Sequence, residues 1–272
     1  MYCIKKITDD LGVGQRFWKS GNTTIKIKCK TDFNIDQTID VFAVKKDVIL
    51  NIEERKLAGR LYVWANYPAR LKKKKVVFVK VLTAASFRGK NLSTEKDKIN
   101  QYLRQSLLEL DNDTKFVAID LRSDPKFNFR RRGNGFINAT GDIRSSDNST
   151  DLNDYLKTLL RNQEGNKYDS YFKAFYFGDD GYVGNIHVSG YSNFGVDYVV
   201  VFKGANDQTA AHEFLHSLNL SHSFSNIESY ITAKYTYKYK VTENLMDYSH
   251  HDPAHLNDRC ALWKWQWEIA NS

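Results

Sequence analysis

The chain has 272 residues, a formal charge of +8, 42% hydrophobic and 14% aromatic residues, and only three prolines. That composition can bury one large core or two modest ones and excludes a fibrous or disordered chain. It has no run of 18 apolar residues, which excludes a membrane-spanning helix, and its cysteines, Cys3, Cys29 and Cys260, are too few for a disulfide framework or a Cys-x-x-Cys metal pair, although one bridge such as Cys3 to Cys29 stays open.

Residues 1–72 read as a small β-rich, sandwich-like domain. TTIKIKCK (23–30), the stretch around DVFAVKK (40–46) and LAGRLYVWAN (57–66) have strand character, and no helical period competes with them. Pro68 and the run Lys72 to Lys75 mark the end of this domain. From residue 73 onward strands alternate with helical patterns, which predicts an α/β (α+β) domain over 73–272. VVFVKVLT (76–83) is a buried strand. Ile99, Tyr102, Leu103, Leu107 and Leu110 place a helix over 94–110, with Thr94 and Asp97 in the pattern of a capping box. KFVAIDL (115–121) is a strand, and 122–150 is a polar loop or hairpin. Leu152, Tyr155, Leu156, Leu159 and Leu160 form the stripe of a second helix. FKAFYF (172–177) is a strand, YVGNIHVSG (182–190) an edge strand flanked by glycines, and DYVVVFK (197–203) a buried strand. A helix capped by Asn206 or Asp207 follows. The last helix covers 254–270, opens at Asp252-Pro253 and buries Leu256, Cys260, Trp263 and Trp267.

The stretch HEFLHSLNLSH (212–222) carries the chemistry. His212 and His216, four apart on a helix, point two imidazoles at one ion, and Glu213 stands beside them where a general base belongs. His222 can join only if the helix stops after Leu218 and the chain turns back at position 219. Glycine suits such a left-handed turn best, and asparagine is the next most tolerated residue. Three histidines leave a fourth position open, as a catalytic zinc site requires. With seven histidines in the chain, this arrangement arises by chance in roughly one of several thousand such sequences. Downstream, ENLMDYSH (243–250) contains Met246, the sole methionine after the first residue.

HEFLHSLNLSH followed by NLMDY resembles the metzincin clan of zinc metallopeptidases, whose motif is His-Glu-x-x-His-x-x-Gly-x-x-His followed by a methionine-containing turn. The resemblance covers about residues 74–272 and departs from the clan at Asn219. It implies zinc bound by His212, His216 and His222, with Met246 forming the floor beneath the metal. It further implies peptide-bond hydrolysis by a zinc-bound water, with Glu213 as general base, on a zincin-like fold with a twisted mixed sheet. Tyr248 matches the tyrosine that astacin-like and serralysin-like members hold near the metal, and Ser223 is the residue matrixin-like members show after the third ligand. The resemblance also implies an extended protein or peptide substrate along the edge strand 182–190, where His187 sits. A weaker similarity, resting on the β-rich front part and basic charge, is to bacterial toxin or effector metallopeptidases. It carries the expectation of a secreted protein; MYCIKKITDDLG has no apolar core, so either a signal is already removed, or export uses a route without one, or the protein stays inside. The sequons at Asn22, Asn91, Asn138, Asn148 and Asn219 are read as coincidence, because a glycan at Asn219 would block the site.

Two other functions compete. One is a non-catalytic binding or adhesion protein on the same scaffold, which the intact Glu213 argues against. The other is nucleic-acid binding through Lys72 to Lys75, Arg130 to Arg132 and the aromatic–lysine alternation YTYKYK (235–240). Solvated charge runs and a two-faced β-ribbon account for these stretches more simply. A solvated cluster likewise accounts for His250, His251 and His255, and a packed or exposed strand residue for His187.

Overall fold

The computed structural model describes residues 31–47, 52–86, 92–226, 233–251 and 259–272. The chain divides into two compact units, Tyr2–Leu71 and Lys72–Ser272. In the first, β1 (Gln37–Asp47) and β2 (Ile52–Val63) form a long antiparallel hairpin, with a register shift between Val41 and Phe42. These strands contain 40–46 and most of 57–66. The stretch 23–30 lies outside the described residues, as does any second sheet that a sandwich would need.

The second unit is α/β with mixed sheets. It runs β3 (Lys72–Lys74), β4 (Val76–Leu82), α1 (Glu95–Leu103), β5 (Leu108–Leu110), β6 (Lys115–Asp120), β7 (Ile143–Arg144), α2 (Leu152–Glu164) and β8 (Phe172–Phe177). β9 (Gly181–Val183), β10 (Ile186–Val188), β11 (Gly190–Tyr191), β12 (Tyr198–Val201), α3 (Thr209–Ser217) and α4 (Lys264–Ala270) complete it. The main sheet has the order β11-β12-β8-β4-β6, parallel except for the antiparallel edge strand β11. Its central strands are buried on both faces, which explains their unbroken apolar runs. Val77, Val79, Val81, Phe175 and Phe177 pack with Leu152, Leu156 and Leu160 of α2. On the other face α3 lies against β12 and α1, and Phe214 packs 4.2 Å from Phe172. Among the described residues no helix is long and apolar enough to cross a membrane.

Several elements differ from the sequence-based expectation. The helix expected over 94–110 ends at Leu103. A 3-10 turn follows, Leu107 takes a left-handed φ of 53°, and Leu108–Leu110 pairs in parallel with the lysine strand β3. Leu108 and Leu110, two apart, are buried by strand alternation, which mimicked the last turn of a helical stripe. Thr94 makes no side-chain cap bond. The polar segment 122–150 is partly core: Phe127, Phe136, Ile137 and Ile143 are fully buried against α2 and the sheet.

The single edge strand expected over 182–190 is instead a hairpin, β9 and β10 turning at Gly184 (φ 57°), before Gly190–Tyr191 joins the main sheet as its edge. The last helix begins at Lys264 rather than 254. Trp263 N–H donates to Gln266 Oε1 at 2.8 Å across its first turn. Leu256 and Pro253 lie outside the described residues, and Cys260 precedes the helix. Cys260 forms no disulfide among the described residues, and Cys3 and Cys29 lie outside them. YTYKYK is not a ribbon: only Tyr237 forms a bridge, with Phe224, and Tyr235, Tyr237 and Tyr239 are all about half exposed.

A Cβ at Gly181 would stand 2.2 Å from the ring of Phe202, which is fully buried and packs on Phe177 and Tyr191. The ring has no room to yield, so Gly181→Ala is expected to cost about 3 kcal/mol in denaturant unfolding.

Candidate metal centre

The helix α3 exists because Asn206 organises its entry and an apolar stripe buries its length. Asn206 Oδ1 accepts from the N–H groups of Gln208 and Thr209 and from the Thr209 hydroxyl, each at 3.0 Å. Asp207 instead pairs with Lys98 at 2.7 Å. Every residue of α3 is buried.

The helix ends in a Schellman turn. Asn219 N–H donates to His216 O at 2.9 Å and Leu220 N–H to Leu215 O at 3.1 Å, while Asn219 takes a left-handed φ of 68°. Leu215 and Leu220, the apolar pair that accompanies such a turn, are both fully buried. The turn reverses the chain and returns His222 to the helix. Its left-handed position favours residues in the order Gly, Asn, Ala, then β-branched. Asn219→Gly is therefore expected to hold or raise stability by up to about 1 kcal/mol, and Asn219→Val to lose about 2 kcal/mol. Thermal and denaturant unfolding of the pair measure this.

Three imidazoles converge. His216 Nε2 lies 3.0 Å from His212 Nε2 and 3.2 Å from His222 Nε2, and one nitrogen from each ring lies within 4.8 Å of the others. The outer nitrogens are held. His212 Nδ1 donates to Leu245 O at 2.8 Å and His216 Nδ1 to Leu220 O at 2.7 Å. A carbonyl only accepts, so both rings carry their proton on Nδ1 and turn Nε2 lone pairs toward each other. Lone pairs 3 Å apart repel unless a cation lies among them. His222 Nδ1 lies 2.9 Å from the side-chain nitrogen of Asn226, so the tautomer of His222 follows the orientation of that amide. Burial, then the neighbouring His216 and Arg259, hold the His212 ring well below the usual histidine range, so it is neutral, as a ligand must be. The donor set fits a metal ion, and the cluster could hold one.

Glu213, nearly buried, lines a cleft of about 310 Å³ with Val188, Gly190, Tyr248 and Arg259. A Cβ at Gly190 would stand 3.1 Å from Glu213 Cγ, so glycine lets the edge strand pass directly over that carboxylate. The Tyr248 hydroxyl lies 2.8 Å from His222 Nε2. Met246 is fully buried, and its carbonyl accepts from Ser223 N–H at 3.0 Å, tying the segment after His222 to the methionine turn. His187 is half exposed, 3.6 Å from Asp180, and also lines the cleft. So do His250 and His251, expected to be a solvated cluster. Burial lowers both, His250 to about 4.

Sequence reasoning missed the supports of the turn. Asp247 is fully buried and accepts four hydrogen bonds: Lys240 N–H at 2.9 Å, Thr242 N–H at 2.8 Å, the Thr242 hydroxyl at 2.6 Å and Tyr248 N–H at 2.7 Å. Asn244 accepts from Met246 N–H at 2.9 Å and joins Gln266 of α4. Arg259 donates to Gln208 and to the carbonyls of Leu245 and Asp247. Asn244 and Asp247 lie inside ENLMDYSH and Arg259 just before the last helix, but no spacing rule marks them. Compared with known proteins, the chain matches no family model and no curated protein.

Proposed function

We propose that the chain is a zinc-dependent endopeptidase of metzincin type, acting on extended protein or peptide substrates. The observation that carries this reading is the convergence of three imidazoles, two of them holding their proton on Nδ1, with Glu213 beside them in an open cleft. Three imidazoles and an open position suit zinc among the common metals. Glu213 in that position favours a hydrolase over a purely structural or adhesive centre.

His212, His216 and His222 would hold a zinc ion, which would supply Lewis acidity to a water and to a substrate carbonyl. Glu213, one residue beyond His212, takes the proton of the attacking water and returns it to the leaving nitrogen. The Tyr248 hydroxyl stands at the rim of the triad and donates to the oxyanion that develops on the carbonyl. The Schellman turn and Asp247 hold the ligands in place through Leu220 O and Leu245 O. The edge formed by Ile186–Val188 and Gly190–Tyr191 offers backbone groups to an extended peptide alongside Glu213.

The test is a digest of casein by the zinc-loaded chain, read by mass spectrometry. New peptides that vanish with 1,10-phenanthroline and return with zinc support the reading; an intact substrate under zinc loading refutes it.

A further inference from the structure

Among the described residues, Arg259 is the cationic group of the cleft that takes no part in the proposed hydrolysis. It is 2% exposed, yet it lines the cleft with Glu213 and Tyr248. Its Nε donates to Gln208 Oε1 at 3.0 Å, and one terminal nitrogen donates to Asp247 O at 2.8 Å and, more loosely, to Leu245 O at 3.5 Å. All three acceptors are neutral. Among the described residues no carboxylate forms an ion pair with Arg259. The Glu213 and Asp247 carboxylates act on the guanidinium only through the field, neither within ion-pair distance, and Asp247 is filled by its own four donors. The second terminal nitrogen has no acceptor among the described residues.

Buried cations in proteins are nearly always paired, because burying an uncompensated charge is costly. A clamp on two carbonyls and an amide needs donors but no net charge. Burial brings the Arg259 guanidinium down to about 10 against the raising fields of Tyr248, Glu213 and Asp247, so it stays charged at neutral pH. His250 and His251 of the cleft add no competing charge, since burial and Arg259 itself hold both below the usual histidine range. A planar guanidinium with an unused terminal nitrogen matches the two oxygens of a carboxylate.

We propose that Arg259 forms a carboxylate-binding subsite of the cleft, so that the preferred substrate presents an Asp or Glu side chain, or a free C-terminus, next to the bond at Glu213. This rests on the peptidase reading for its substrate class but not for its binding chemistry. The guanidinium replaces water around the carboxylate, while the corresponding amide would leave the buried charge unpaired.

The experiment varies the peptide rather than the protein. Matched peptides carry Asp or Asn at each position in turn, with free or amidated C-termini. They are scored for cleavage by the zinc-loaded wild type and for binding to zinc-loaded Glu213→Gln by fluorescence anisotropy. The acid is expected to exceed its amide by about tenfold to hundredfold at one position. A side-chain effect identifies an internal acidic residue, and a terminus effect identifies a C-terminal carboxylate. Arg259→Gln should bring the ratio near one, and Arg259→Lys should keep part of it. Because Arg259 also braces the methionine turn, its variants are scored by this ratio and not by activity. Equal handling of acid and amide at every position and at both termini overturns the subsite, and leaves the peptidase reading intact if cleavage occurs. Acid-selective binding with no cleavage upholds the subsite and overturns the peptidase reading.

Discussion

Glu213→Gln is expected to lower kcat for peptide hydrolysis by roughly 10²–10⁴-fold while leaving zinc content and KM close to wild type. Glutamine keeps the shape of the side chain and its place against Gly190, so the cleft and the edge strand above it stay put. On the proposed mechanism, what disappears is the one carboxylate that lines the cleft with His212 among the described residues. His250 and His251 line the same cleft, but burial and Arg259 lower their basicity. A loss of that size is about 3–5 kcal/mol of barrier, far beyond what a small shift of a well-packed helix would produce. Glu213→Asp, which withdraws the carboxylate by one methylene, should fall between the two. Steady-state kinetics on one fluorogenic peptide, with zinc per chain measured on the same samples, separates loss of the base from loss of the metal. Unchanged turnover in Glu213→Gln would remove this residue from the mechanism.

The second large effect is expected at a residue that touches no metal. Asp247→Ala removes a fully buried acceptor and leaves four donors without a partner. One of them, Lys240 N–H, belongs to a residue held at a left-handed φ of 64°, a conformation that needs outside support in a residue with a side chain. Hydrogen bonds to a charged acceptor contribute about 1.5–3 kcal/mol each and do not add fully, so a total loss of about 3–5 kcal/mol in unfolding free energy is expected. The damage should spread to the metal. Leu245 O, which orients His212, and the Tyr248 amide flank Asp247 on the same turn. Zinc affinity should fall about 10–100-fold, the usual cost of disturbing the partner that orients a ligand. Asp247→Asn keeps the volume but turns an N–H group toward donors, and should be nearly as harmful. Denaturant unfolding and zinc competition on the same variants check both parts. A stable Asp247→Ala with wild-type zinc affinity would show that the turn is held by other means.

These two residues show what was legible in the sequence and what was not. His212, His216 and His222 could be read because two signals overlap: the i, i+4 spacing of a helix, and a residue tolerant of a left-handed turn where the helix must end. The convergence of the three rings and the φ of 68° at Asn219 follow from those signals. The central strands were legible because burial on both faces leaves an unbroken apolar run. Misreadings arose where two periods agree locally. Leu107, Leu108 and Leu110 fit the end of a helix and a buried strand equally well, and pairing with Lys72–Lys74, some 36 residues earlier, decides between them. Tyr235, Tyr237 and Tyr239 alternate like a strand, yet a ribbon also needs a partner, and only Tyr237 has a bridge. Phe127, Phe136 and Ile143 sat among glycines, asparagines and arginines, so their burial shows only once α2 lies over them. Asp247, Asn244 and Arg259 act singly across the fold, and a single polar residue leaves no period to detect.

The account stands on one claim, that His212, His216 and His222 hold a metal together. The direct test is a zinc titration of the metal-free chain against a chromophoric chelator, for the wild type and for His212→Ala, His216→Ala and His222→Ala. One tight equivalent of zinc per chain, weakened at least a thousandfold by each substitution, is the expected result. Tight zinc binding that survives the loss of any two of these histidines, or no tight binding in the wild type, would contradict it.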